Sequence, residues 1–332
     1  MIRLQPYTPQ DEATWNELVA QSKNGTFLLN RQFMDYHFHR FTDCSLLFYR
    51  GSRAVACLPA NYVKDTETVY SHQGLTYGGL LLDTTIGSVE VMQVFDLFMD
   101  YYRRELGAKR MVYKPIPYIY HRQPTEEPLY VLFRKGARLT ARGLSTAVNL
   151  YHPLPLQARR RSGIRKGEER GLQIVQTVER EDYQEFWNIV NEGLQDRHNV
   201  RPVHSVDEMM LLMRRFPNNI RLWVERDPQR GNMVAGAWLF ITDTTVHVQY
   251  MATSNEGRSI GALDYLIAHI IDAYTAEVRT AVSNSAKECG LAYFDFGIST
   301  EADGRNLNEG LVFQKEGFGA RGVCYDFWEL EL

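Results

Sequence analysis

The sequence predicts a mixed α+β fold built twice in tandem. Three observations carry this reading. The chain has 332 residues, 44% hydrophobic and 12% aromatic, a size that suits about two domains of roughly 150 residues. Short β-patterned runs alternate with helical runs whose apolar residues recur every three or four positions. The order of elements is similar in both halves, which reads as duplication of one unit, with units expected at 1–155 and 156–332.

The second half is the clearer one. The basic segment RRRSGIRKGEERGL (159–172) reads as a short helix stopped by Gly171, since glycine accepts the left-handed turn that closes a helix. LQIVQTV follows as a strand. REDYQEFWNIVNEGL then sets Tyr183, Phe186, Trp187, Val190 and Leu194 on one helical face. SVDEMMLLMRRF opens with Ser205 and has Glu208 three residues on, the capping box of a helix start. NIRLWVER, NMVAGAWLFIT and TVHVQYMAT are strands separated by turn-formers such as Asp227-Pro228 and Thr242-Asp243. A long helix over about 259–275, a helical stretch to Cys289, the strand AYFDFG, a helix over about 306–315 and a last strand, GVCYDFWELEL, complete the half.

The first half runs in a similar order: a strand at 2–7, a helix after Thr8-Pro9, a helical patch at 32–39, then LLFYR, AVACLPANYV and TVYSHQGL as strands. A helix at 88–105 and the strand RMVYKP follow, and the proline-punctuated stretch 113–130 reads as the loop leaving the unit.

Charge narrows the partners. The net charge of −3 gives no overall field for DNA or an anionic membrane, so a polyanion must be met locally. Cys44, Cys57, Cys289 and Cys324 are scattered without a CxxC pair, which fits neither a disulfide framework nor a zinc cage. The N-terminus lacks the pattern of a signal peptide and no run reaches membrane-span length; the expectation is a cytoplasmic protein without integral membrane association. Asp295-Phe-Gly297 spells a kinase tripeptide without the accompanying loops. His37 and His39, two apart in a helical run, do not converge on a metal.

Four segments carry a family resemblance: RRSGIRKGEERGLQI (160–174), LQDRHNVRPVHS (194–205), YFDFGIST followed by NEGLVFQKEGFGA (293–320), and HQGLTYGGLLL (72–82). With the element order, they make the chain similar to the GNAT acyltransferase superfamily, and its tandem form resembles the Fem peptidyltransferases of peptidoglycan and the acetyltransferases classed beside them. The resemblance implies two GNAT-like units, each a mostly antiparallel twisted sheet flanked by helices, with the last strand, 323–332, joining the first unit's sheet.

It also implies a chemistry. In this superfamily an amine attacks an activated carbonyl directly, and the protein supplies position, an oxyanion donor and a path for the proton. The splayed fourth strand, here VHVQYMAT, offers backbone N–H groups to the acyl carbonyl, and the next helix start cradles pyrophosphate. Arg258, Gly261 and Ala262 match that phosphate fingerprint in part, with Leu263 where a smaller residue is usual. Lys315 matches the lysine of the Fem donor site, and Arg197 the loop arginine. Tyr77 lies in the Tyr-Gly-Gly segment of the first unit.

From the residues themselves, His247 and Tyr250 on the fourth strand are candidates to face an acceptor, His247 as general base, and Asp295 to orient a neighbour. The cationic segment, six basic residues against two acidic, has three readings: a solvated face, a helix bringing Arg161 or Arg165 to a phosphate in a cleft between the units, or a platform for tRNA.

The expected function is therefore acyl or aminoacyl transfer from a phosphate-bearing donor, acyl-CoA or aminoacyl-tRNA, to an amine on a small molecule or envelope precursor. No tightly bound cofactor and no metal are expected. The alternative is a catalytically degenerate GNAT-fold module that binds a nucleotide-containing ligand or RNA. Lys315, taken as exposed, is expected to tolerate alanine at a cost of at most about 0.5 kcal/mol while transfer drops at least about tenfold.

Overall fold

A computed structural model describes residues 1–198, 203–283 and 290–332, with the side chains of 194–198 left aside. The chain divides into two compact units. Unit 1 comprises Met1–Leu144, Thr300–Leu307 and Val323–Leu332, and unit 2 comprises Ser145–Ser299 and Asn308–Gly322.

Unit 1 begins with β1 (Ile2–Pro6), α1 (Glu12–Gln21) and a short α2 (Arg31–Met34), then β2 (Thr42–Asp43), β3 (Leu46–Arg50), β4 (Arg53–Leu58), β5 (Asn61–Val63), β6 (Thr68–Tyr70) and β7 (Leu81–Leu82). The long α3 (Ser88–Leu106), β8 (Arg110–Tyr113), α4 (Glu127–Arg134) and β9 (Arg138–Asn149) follow. Four strands pair antiparallel in the order β1-β3-β4-β7. β2, β5 and β6 also pair antiparallel, whereas β6 runs parallel to β8, with α3 in the connection between them. Val91, Val94, Phe95, Phe98 and Tyr102 of α3 recur at helical spacing and are buried in this unit's core, where each large apolar side chain contributes about 1.5–3 kcal/mol.

Unit 2 takes up the end of β9 and continues through α5 (Ala158–Arg170), β10 (Gln173–Thr177), α6 (Arg180–His198), α7 (Val206–Arg215), β11 (Ile220–Arg226), β12 (Met233–Ile241) and β13 (Thr245–Thr253). Then come α8 (Asn255–Ile260), α9 (Ala262–Ser283) and β14 (Tyr293–Ile298). The short β15 (Thr300–Glu301) and β16 (Asn306–Leu307) belong to unit 1, α10 (Glu309–Glu316) to unit 2, and β17 (Arg321–Glu331) ends the chain. The strands run β10-β11-β12-β13-β14-β9, antiparallel except for β13 with β14. That parallel pair is again connected through a long helix, α9, so the two units share the same device of an antiparallel meander ended by a parallel crossover. Leu266, Ile267, Ile270, Ile271, Tyr274 and Val278 of α9 are buried in the core of unit 2.

The predicted caps are present. Gly171 closes α5 at φ 71°, and Ser205 and Glu208 exchange hydrogen bonds of 2.7 and 3.2 Å at the start of α7. In unit 1, Trp328 of β17 sits opposite Tyr113 of β8, the two strands antiparallel.

Four details differ from the sequence reading. The supposed loop 113–130 contains the start of α4, where Pro128 occupies the first turn, a place that needs no backbone N–H. β9 was not expected: its residues RLTARGLSTAVN bury little before Leu144 and show no apolar period. The expected helix at 306–315 begins only at Glu309, after the strand pair at Asn306–Leu307. The helix expected to run from 259 is two helices, broken at Gly261 with φ 76°. Among the described residues no helix is long and apolar enough to cross a membrane.

Candidate functional site

The central feature of unit 2 is a wedge between two strands. β13 stays paired with β12 as far as Thr253 opposite Ala235, but its parallel ladder with β14 ends at His247 opposite Asp295. Beyond that pair one edge of β13 lies outside any strand ladder among the described residues. The ladder with β12 also shifts register: Leu239 faces Val248 and Trp238 faces Tyr250, so Gln249 is the extra residue of a bulge. Bulges re-aim side chains and increase twist, which is why they recur beside sites.

Tyr250, next to the bulge, is seated among aromatics. Its hydroxyl is 3.0 Å from His204 Nδ1, its ring stacks on Trp238 and meets Trp187 edge-on. Burial raises its pKa, so the phenol holds its proton.

A cavity of about 610 Å³ opens at this end of β13. Its walls come from α5, α6, the stretch from Tyr250 to Thr253, the α8–α9 junction and α10. Arg159, Lys166 and Arg258 supply cationic groups. α5 reaches the junction because its inner face is glycine. A Cβ on Gly163 would overlap the carboxylate of Asp264, one on Gly167 would lie 2.6 Å from Cβ of Tyr265, and one on Gly261 would overlap the carbonyl of Gly163. Arg160, 7% exposed, is ion-paired with Asp264 across the same contact. Burial pushes the Asp264 carboxyl upward, against the opposing pull of Arg160.

The basic segment thus divides by role. Arg160 and Arg170 bind carboxylates, the latter Asp227 at 2.7 Å. Arg161 donates to the carbonyl of Leu156, and Arg165 is exposed and is not a wall of the cavity. Of the basic residues of α5, Arg159, Arg160 and Lys166 line this cavity, whereas Arg161 and Arg165, expected at a cleft between the units, do not. Helical geometry is the reason: with about 100° per residue, 159 and 166 flank the glycine face, whereas 161 and 165 turn away from it.

At the apex of the wedge, His247 Nδ1 is 2.9 Å from Asp295 Oδ2. The other carboxylate oxygen accepts from Ser145 Oγ and, at 3.1 Å, from the N–H of Gly297. Both Asp295 and Ser145 are fully buried, and His247 is 7% exposed.

Lys315 requires a correction. It is 2% exposed, and its ammonium donates to the carbonyls of Gly297 and Ile298 at 2.8 and 3.1 Å and to Ser299 Oγ at 2.7 Å. Three donors are thus committed to the end of β14. Burial lowers its pKa to about 8, with Asp295 acting in the opposite sense.

The remaining expected residues are dispersed. Arg258 lines the cavity and holds Asn255 at 3.0 Å. Ala262 is fully buried in the α9 core contact. Tyr77 is in the core of unit 1, its hydroxyl 3.1 Å from Thr26 and its ring against Tyr120. The side chain of Arg197 lies outside the described residues. Sequence reasoning missed Ser145 and His204, and it named Arg159 and Lys166 only as the ends of the basic segment read as a tRNA platform. The glycines at 163 and 167, four apart, were the available signal for which face of α5 packs.

Residues 157–303 match the family model described as Acetyltransferase (GNAT) domain. The class of protein follows: a tandem GNAT-fold chain whose second unit matches an acetyltransferase-type domain. Among solved structures, the crystal structure of FemX superposes with a TM-score of 0.66 at 12% identity, covering 98% of this chain and 96% of that one. L-PGS from Bacillus licheniformis gives 0.63 at 13% identity, covering 98% and 92%. A tandem GNAT protein from the clavulanic acid biosynthesis pathway gives 0.51 at 13% identity, covering 100% and 98%. At these identities the likeness is one of fold. No curated protein matches the sequence.

Proposed function

We propose that unit 2 moves an acyl or aminoacyl group from a phosphate-bearing donor, acyl-CoA or aminoacyl-tRNA, to an amine. The observation that carries the reading is the wedge beyond His247 and Asp295, opening beside a cavity with Arg159, Lys166 and Arg258 in its wall. The donor's phosphates meet these cations, and its carbonyl enters the wedge, where backbone N–H groups of β13 stabilise the developing oxyanion. With Nδ1 of His247 held by Asp295, the imidazole is oriented as the general base that takes the proton of the attacking amine. Tyr250, kept as a phenol, gives a proton to the leaving group. The amines to be tried include small molecules and envelope precursors, the acceptors that the Fem-like sequence segments imply.

One observation favours the degenerate reading: α5 and Asp264 occupy the Gly261 helix start, where the superfamily fingerprint would meet phosphate. The experiment is to incubate the purified protein with acyl-CoA or charged tRNA and a panel of amines, following product by mass spectrometry. Amide product above the uncatalysed rate supports transfer. Saturable binding of a donor with no product from any amine supports the module.

A further inference from the structure

The cavity lining combines two chemistries. The cations come from α5 and α8, while Ile189 and Val190 of α6, Met251 of β13, Leu263 of α9, and Leu311 and Phe313 of α10 supply apolar surface. Ile189 and Val190 are buried, Met251 and Leu263 pack on the core of unit 2, and Phe313 is 50% exposed. Leu263 stands where the superfamily fingerprint carries a small residue, so the departure adds apolar wall at the α9 start. Asp264, the carboxylate in the lining, is already committed to Arg160.

From this combination of cationic and apolar lining we infer that the acyl group transferred carries an extended apolar chain, medium-length aliphatic or aromatic, rather than an acetyl group or a charged aminoacyl group. The inference rests on the transferase reading above and names the donor class within it. A cavity of about 610 Å³ falls in the range of roughly 300–1,000 Å³ that holds small organic ligands. Each methylene buried against such a wall strengthens binding about fourfold at best, so chain length is a sensitive readout. An α-ammonium on the acyl group would instead lose its hydration against this apolar lining without a carboxylate free to pair with it.

The test is calorimetric titration of the intact protein with coenzyme A and its acetyl, butyryl, hexanoyl and octanoyl thioesters, and with aminoacyl-tRNA. The expected result is affinity rising at least about tenfold from acetyl to octanoyl, with aminoacyl-tRNA no tighter than uncharged tRNA. Phe313→Ala, at a half-exposed site, should flatten the series and cost the octanoyl thioester at least about fivefold. Thioesters that bind equally well whatever their chain, or a preference for acetyl, overturn the inference and leave the transferase reading standing. Preference for charged over uncharged tRNA does the same. Failure of every donor to bind removes both.

Discussion

The side chain of His247 is joined to that of Asp295 at 2.9 Å, on the last residue pair that β13 shares with β14. Asp295 receives two further donors, Ser145 and the Gly297 N–H, so both of its oxygens are engaged. A buried, triply bonded carboxylate is therefore a fixed orienter for the imidazole. Asp295→Asn should lower kcat by at least about 100-fold, the ordinary contribution of general base catalysis, and Ser145→Ala by a few-fold through looser positioning. Turnover of Asp295→Asn within threefold of wild type would show that the proton leaves by another route.

Lys315→Ala should destabilise the protein by about 2–3 kcal/mol. It leaves the part-buried carbonyls of Gly297 and Ile298 and the buried Ser299 hydroxyl without their donor, each at about 1 kcal/mol. Lys315→Met keeps the stem and separates packing from hydrogen bonding. Urea unfolding distinguishes this from the 0.5 kcal/mol or less expected of an exposed lysine.

The sequence made the repeated order of elements legible because apolar periodicity records which face is buried, as in α6 and α9. The helix stop at Gly171 and the Ser205 capping box were legible for the same local reason. The site was harder to read. Ser145 meets Asp295 from 150 positions away, and nothing local marks the serine. Lys315 looked exposed because it follows Gln314 and precedes Glu316, whereas it turns inward to the end of β14. Tyr77 and Ala262 matched family motifs but are explained here by packing.

Glu225 predicts a pH dependence unrelated to catalysis. It sits fully buried on β11 with neither carboxylate oxygen hydrogen-bonded, and burial lifts its pKa from 4.5 to about 9. A group whose folded pKa exceeds its unfolded pKa has its full favourable effect below the unfolded value, and that effect is lost as pH rises through the folded value. Stability should therefore fall between about pH 5 and 9, by on the order of 5 kcal/mol in all at about 1.4 kcal/mol per pH unit. Glu225→Leu should raise the urea midpoint at pH 8 and reduce that slope. A variant no more stable than wild type at pH 8 would mean that the carboxyl is not buried protonated.

The two stripes of the basic helix give the last prediction. Arg159 and Lys166 lie in the cavity wall, 161 and 165 do not, and the glycines between α5 and α9 fix this rotation. Phosphate recognition by side chains depends on reach and desolvation, so total charge alone does not decide it. Arg159→Ala and Lys166→Ala should each weaken donor binding by about five- to tenfold, on the order of one hydrogen bond of about 1 kcal/mol, and reduce the dependence of affinity on salt. Arg161→Ala and Arg165→Ala remove the same charge from the same helix and should change affinity by less than about twofold at physiological ionic strength, where exposed charges are screened. Equal losses from all four substitutions would instead indicate a diffuse electrostatic surface, the arrangement expected of a nucleic-acid platform. Titration at two salt concentrations separates these outcomes, because a diffuse surface loses a similar increment of salt slope with each charge, whereas a built phosphate site loses it only at Arg159 and Lys166.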